Sequence, residues 1–243
     1  MPLLSVKGVS KSFGGLQVLW EIDFDVQERE IIGLIGPNGS GKTTLFNTIM
    51  GSLPCDKGTI SFCGEEITGL KPHKICRKGI GKTFQLTRPF MRMTCLENVM
   101  VGRYFGKEAC RGYRQTRAEA RDILEMVGLR HKEDVPAAGL NVIGRKRLEL
   151  ARALAGHPHL LLLDEIMAGL NPKEIDAAVG LIRQINQSGV SVIIVEHVMK
   201  AVLGISERVV VLDAGKKIAE GTPREVVKNE AVIRAYLGHS VHA

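Results

Sequence analysis

Residues 31–44, Ile31-Ile32-Gly33-Leu34-Ile35-Gly36-Pro37-Asn38-Gly39-Ser40-Gly41-Lys42-Thr43-Thr44, decide how the rest of the chain is read. Residues 31–35 are an apolar run of the kind that makes a strand buried on both faces. The run breaks into a loop with glycines at 36, 39 and 41. Lys42, Thr43 and Thr44 then open a pattern, LFNTIM, that suits a helix. G-x-x-x-x-G-K-[ST] set between strand and helix is a phosphate-binding loop. Its glycines let the backbone wrap closely, its N–H groups point inward as a nest, and the helix N-terminus adds roughly half a positive charge. Lys42 is expected to reach the β- and γ-phosphates of a nucleotide, and Thr43 to ligate Mg²⁺.

Toward the N-terminus, residues 3–12 predict a first strand ending at Phe13-Gly14-Gly15. Trp20, Ile22, Phe24 and Val26 alternate with Glu21, Asp23 and Asp25. That period of two predicts an antiparallel strand with one wet face. Beyond the loop, a helix over 42–50 is expected to stop at Gly51, and GTISFCG at 58–64 reads as another short strand. From about 88 to 155 strand signals fade. Helices are expected at 94–103, 114–127 and 145–156, with 128–144 a loop leading into the third. The α/β pattern resumes at Leu160. LLLLD is a buried parallel strand, and Asn171-Pro172 begins a helix to about Gln187 that Gly189 ends. Residues 190–197 form the next buried strand, 207–221 a hairpin turning at Asp213-Ala214-Gly215, and Pro223–Leu237 two short helices.

Composition narrows the classes. The net charge of +7 leaves nucleic acid in view, but the charges are scattered and only 5% of residues are aromatic, which gives little material for base stacking. No nucleic-acid partner is therefore expected; the excess charge suits an ordinary solvated surface with a nucleotide site, and an anionic membrane surface is the alternative. No apolar run approaches the roughly 20 residues of a membrane span, and no signal peptide is read at the N-terminus. The five cysteines, at 55, 63, 76, 95 and 110, contain no C-x-x-C, so neither a disulfide framework nor a zinc site is expected.

A second group of residues completes the chemistry. LLLLDE at 160–165 is an apolar strand ending in two carboxylates. In phosphate-loop enzymes Asp164 would stand beside the Mg²⁺, and Glu165, at the strand's carboxyl end, could polarise a water for attack on the γ-phosphate. Gln85 ends GKTFQ, and His197 ends VSVIIVEH at the mouth of the sheet. Read singly, each is ordinary: a surface glutamine and a structural histidine.

Their order carries a resemblance. Phe13, GPNGSGKT at 36–43, Gln85, LLLLDE, AGLNP at 168–172 and His197 together resemble an ATP-binding cassette (ABC) ATPase over essentially the whole chain. KSFGGLQVL, GKTFQ, EHVM, EGTPREVV and VIRAYLG are similar to the nucleotide-binding subunit of branched-chain amino acid importers. The resemblance implies one nucleotide-binding domain over 1–243. Its P-loop NTPase α/β core (1–87 and 156–243) would carry an antiparallel β subdomain and an inserted α-helical subdomain at about 88–155. It implies ATP and Mg²⁺ as cofactors. Phe13 would stack on adenine, and Gly36, Pro37, Asn38, Gly39, Ser40, Gly41, Lys42, Thr43 and Thr44 would bind phosphate. Asp164 would hold Mg²⁺ through water, with Thr43 and Gln85 also at the metal. Glu165 would be the general base, His197 would meet the γ-phosphate, and Gln85 would report nucleotide state to the membrane partner. Asn171 would lie on the loop that crosses the dimer interface.

It also implies a location on the cytoplasmic face of the membrane. The partners would be transmembrane permease subunits, a second ATPase subunit and, indirectly, a solute-binding protein. A lipid or lipopolysaccharide exporter is the alternative within transporters, and a regulatory ATP-binding module the alternative outside them. One segment departs from the family. Where Leu-Ser-Gly-Gly-Gln is usual before RLELARAL, this chain has Leu140, Asn141, Val142, Ile143 and Gly144. Val and Ile hinder the close backbone approach that glycine permits. A heterodimer with unequal sites is therefore expected, with a homodimer as the alternative.

Overall fold

The computed structural model describes residues 1–85, 87–110 and 112–238. The elements run β1 (Leu4–Phe13), β2 (Leu16–Val26), β3 (Ile31–Ile35), α1 (Lys42–Ile49), β4 (Lys57–Phe62), β5 (Glu65–Glu66), α2 (Pro72–Lys78), β6 (Ile80–Lys82), α3 (Cys95–Phe105), α4 (Tyr113–Met126) and α5 (Val142–Leu154). They continue with β7 (Leu160–Asp164), α6 (Pro172–Gln187), β8 (Ser191–Val195), α7 (Met199–Ile205), β9 (Arg208–Asp213), β10 (Lys216–Gly221), α8 (Pro223–Val226) and α9 (Glu230–Gly238). They fall into two compact units, Met1–Pro72 with the chain from Ser191 onward, and His73–Val190.

The first unit holds two β layers. An antiparallel sheet in the order β2-β1-β4-β5 is built on pairs such as Leu4↔Val26 and Leu4↔Phe62, and it buries Leu4, Val6, Val9, Ile22, Phe24 and Phe62 on one face. One expectation fails here: Trp20 is 44% exposed, and Leu19 takes the inward position. Glu21 has φ +44, and the β1–β2 register shifts between Val9 and Lys11. The irregularity changes the phase of the alternation, as a bulge does. The other layer is β10-β9-β3-β8, parallel through β9, β3 and β8 and closed by the antiparallel β9–β10 hairpin. Ala214 and Gly215, with φ +43 and +79, make its two-residue turn. Every residue of β3 and β8 is buried, as their uninterrupted apolar runs require. Arg208 opens β9 and donates from Nε and Nη2 to the two oxygens of Glu30, at 2.8 and 3.0 Å, while its other arm pairs with Glu220.

The second unit pairs β6 with β7 in parallel, Ile80↔Leu160 to Lys82↔Leu162, beside the helices α3 to α6. α3 starts with a capping box, Thr94 with Glu97, and packs against α4 and α5; Arg103 on α3 is buried and pairs with Glu119 on α4. α6 is capped by Asn171 and Glu174 with Pro172 in its first turn, and Gly189 follows it at φ +105. The helical stretch expected at 88–155 lies inside this unit, together with β6, β7 and α6. α5 begins at Val142 rather than 145, because Asn141 caps it: its Oδ1 accepts the Gly144 N–H at 2.8 Å. Sequence patterning missed α2, α7 and β6, which are seven, seven and three residues long and too short to show a period.

Candidate functional site

In the first unit, β3 delivers the chain into the loop 36–41. A β-carbon on Gly36, at φ +149, would lie 2.0 Å from the Leu212 carbonyl oxygen; one on Gly41, at φ +100, would lie 2.9 Å from that of Val18. Neither position admits a side chain, so the loop's tight course depends on glycine. Lys42 leaves the start of α1 and folds back over this turn. Its Nζ donates to Gly36 O at 2.7 Å, Pro37 O at 2.8 Å and Ser40 Oγ at 3.3 Å. α1 carries no side-chain cap, which leaves its first N–H groups directed at the loop. Asn38, Gly39 and Thr43 are exposed, Pro37 and Thr44 partly so, and Ser40 is buried.

Phe13, at the end of β1, is 46% exposed with Lys11 Nζ 5.6 Å from its ring centroid. His197 is exposed just past β8. A contact with no signal in the sequence comes from the tail: the phenol of Tyr236 on α9 donates to Met199 Sδ at 3.9 Å and lies near the Gly36 backbone. Burial pushes that phenol's pKa up, and the Gly36 contact opposes the shift.

In the second unit, β7 carries Asp164 to its end, buried at 2% exposure. The chain then turns at Glu165 with φ +52, a left-handed conformation that costs a non-glycine residue about 1 kcal/mol. Such strain is often kept where a side chain must point in one direction. Gln85 Nε2 donates to Glu165 Oε2 at 2.8 Å, so two residues 80 apart in sequence meet here. Asp164 N donates to Thr83 Oγ1 at 3.1 Å. Sequence reading also missed Lys82, whose Nζ lies 3.7 Å from Asp164 Oδ2 with both side chains almost fully buried. Burial lowers the Lys82 pKa, and the Asp164 charge opposes that shift.

Leu140 is buried, Val142 is 67% exposed, and Gly144 is buried in the first turn of α5. Asn141 spends its side-chain oxygen on that helix, and Ile143 is partly buried. Further along α5, Lys146 Nζ donates to the carbonyls of Glu165 at 3.3 Å and Ala168 at 2.5 Å. Within each unit the expected residues are brought together: Gly36 to Thr44 in the first, Gln85 with Glu165 in the second. Each unit offers hard oxygen donors of the kind Mg²⁺ takes: an exposed threonine hydroxyl, Thr43, in the first, and the Asp164 carboxylate and Gln85 amide oxygen in the second.

A family model described as ABC transporter matches residues 19–168, and one described as branched-chain amino acid ATP-binding cassette transporter matches residues 216–242. The chain is 39% identical to the high-affinity branched-chain amino acid transport ATP-binding protein BraF of Pseudomonas aeruginosa, over 98% of this chain and 99% of that protein. It is 36% identical to the lipopolysaccharide export system ATP-binding protein LptB of Haemophilus influenzae, over 98% of each. Among solved structures, an ATP-binding cassette of an ABC transporter in its ADP conformation superposes with a TM-score of 0.89 at 30% identity, covering 98% of this chain and 99% of that one.

Proposed function

Because this chain belongs to the ABC transporter family, we propose that it is the ATP-hydrolysing subunit of a membrane transporter that imports branched-chain amino acids or related solutes. The observation that carries the catalytic reading is the Gln85–Glu165 hydrogen bond of 2.8 Å, made where the chain turns left-handed after Asp164. The solute reading is supported by the match of the tail at 216–242 and by the likeness to BraF.

ATP binds with its phosphates in the loop 36–44 and adenine on Phe13. Lys42 exchanges neutral carbonyl partners for phosphate oxygens, which accept a charge-assisted bond and hold it more strongly. Thr43, Asp164 and Gln85 are the residues that would hold Mg²⁺, which when bound neutralises charge on the β- and γ-phosphate oxygens. Glu165 takes the proton of the attacking water, and Gln85, bonded to Oε2, holds the carboxylate in one orientation. His197 contacts the γ-phosphate. Catalysis is mainly positioning and charge neutralisation, as for other phosphoryl transfers.

No helix among the described residues is long and apolar enough to cross a membrane. In this reading permease subunits supply the path, and this subunit binds at their cytoplasmic face. A second ATPase subunit pairs with this one. The segment Leu140–Gly144, with bulky Val142 exposed, favours a different chain as that partner. Hydrolysis by an equimolar mixture with such a partner is expected to exceed that of this chain alone, and full activity of the isolated homodimer would reject the heterodimer. The likeness to LptB favours lipopolysaccharide export as the second reading. Proteoliposomes with the cognate permease decide between them. ATP-dependent leucine uptake that needs a binding protein supports import, and ATP-dependent extraction of lipopolysaccharide without uptake supports export.

A further inference from the structure

α5 grips the two segments on which the hydrolytic pair sits. Lys146, Glu149 and Arg152 are spaced three apart and so share one face of the helix. Glu149 is in the middle and is 4% exposed. Its Oε1 accepts the N–H of Phe84 at 3.1 Å, and its Oε2 accepts that of Arg88 at 3.1 Å. These donors bracket Gln85: Phe84 precedes it and Arg88 lies three residues after it. Arg152 takes the same segment from the other side, donating to Arg88 O at 3.0 Å with its guanidinium 4.7 Å from the Phe90 ring centroid. Lys146 holds the Glu165 turn by its carbonyls.

We propose that Glu149 is a positioning residue for Gln85, and through Gln85 for Glu165: its carboxylate ties the backbone at Phe84 and at Arg88, on either side of Gln85, to α5. The proposal rests on the roles given above to Gln85 and Glu165. The chemistry selects a carboxylate. It is the one side-chain group that accepts on both oxygens and donates on neither, so it satisfies two backbone N–H groups at once. An amide would turn its NH₂ toward one of them. If packing were all that mattered, an apolar residue of similar volume would avoid the cost of burying charge. That cost is visible, since burial pushes the Glu149 pKa up against the opposing pull of the Arg88 and Phe84 N–H groups and Arg152.

Glu149→Gln in the full chain tests this tie by two readouts. Amide exchange at Phe84 and Arg88, followed by NMR, is expected to speed up roughly tenfold, the value of one charge-assisted hydrogen bond, while amides of α3 and α4 keep their rates. In the ATPase assay kcat is expected to fall roughly tenfold with KM for ATP within about twofold, because the nucleotide loop is untouched and the base is misaligned. Should this variant fail to fold, Glu149→Asp carries the test. With its charge kept and its reach shortened, it is expected to show the same split at roughly threefold. Unchanged exchange at the two amides overturns the proposal, and so does faster exchange with an unchanged kcat. Full turnover in Glu165→Gln would instead remove Glu165 as base while leaving the tie to be judged by the exchange rates.

Discussion

At Gly36 a single hydrogen atom in place of a methyl group decides whether the phosphate loop can form. A β-carbon there would sit 2.0 Å from the Leu212 carbonyl and strain a backbone already at φ +149. Gly36→Ala is expected to destabilise the chain by about 3 kcal/mol or more and to abolish ATP binding, as read by thermal unfolding with and without nucleotide. Asn141 shows the opposite case, a residue whose local duty explains its identity. With its oxygen capping α5, Asn141→Ala is expected to cost about 1 kcal/mol in denaturant unfolding, and Asn141→Ser to restore most of it. The phosphate loop was legible because its spacing is itself the chemistry. Lys82 and Glu149 were not: each is an ordinary charge in sequence and acquires meaning only when folding buries it against Asp164 or the backbone beside Gln85.

Elements differed in legibility for the same reason. Buried strands such as β3, β7 and β8 are unbroken apolar runs, and α6 carries its start signal as Asn171-Pro172 and Glu174. Trp20 misled because a bulge at Glu21 shifts the phase that the alternation assumes. The start of α5 was misplaced because Val142 and Ile143 look like loop filling until Asn141 is seen to cap them. Helices α3 and α4 are tied by Arg103 and Glu119, and Arg103 lowers the Glu119 pKa below its ordinary value of 4.5. A carboxylate with a depressed pKa contributes stability that is present above pH 4.5 and lost as pH falls through the lower, folded value. Glu119→Gln is therefore expected to flatten acid unfolding in the window below about pH 4.5, with little difference from wild type in the slope at pH 7. In the other unit, Arg208→Ala leaves Glu30 buried without its fork and is expected to cost about 2 kcal/mol, read from the urea midpoint.

For the molecule as a whole, the net charge of +7 suits the binding of a polyanionic nucleotide. The family was legible from the order of six short features, since no one of them beyond the phosphate loop is specific by itself. The proposed cargo rests on likeness alone, through the match at 216–242 and the likeness to BraF. The central claim is that Glu165, oriented by Gln85, takes the proton of the attacking water. Measured as phosphate release from MgATP, Glu165→Gln is expected to reduce kcat by roughly a hundredfold or more while ATP affinity stays within about threefold. Turnover equal to wild type with unaltered ATP affinity would contradict the claim.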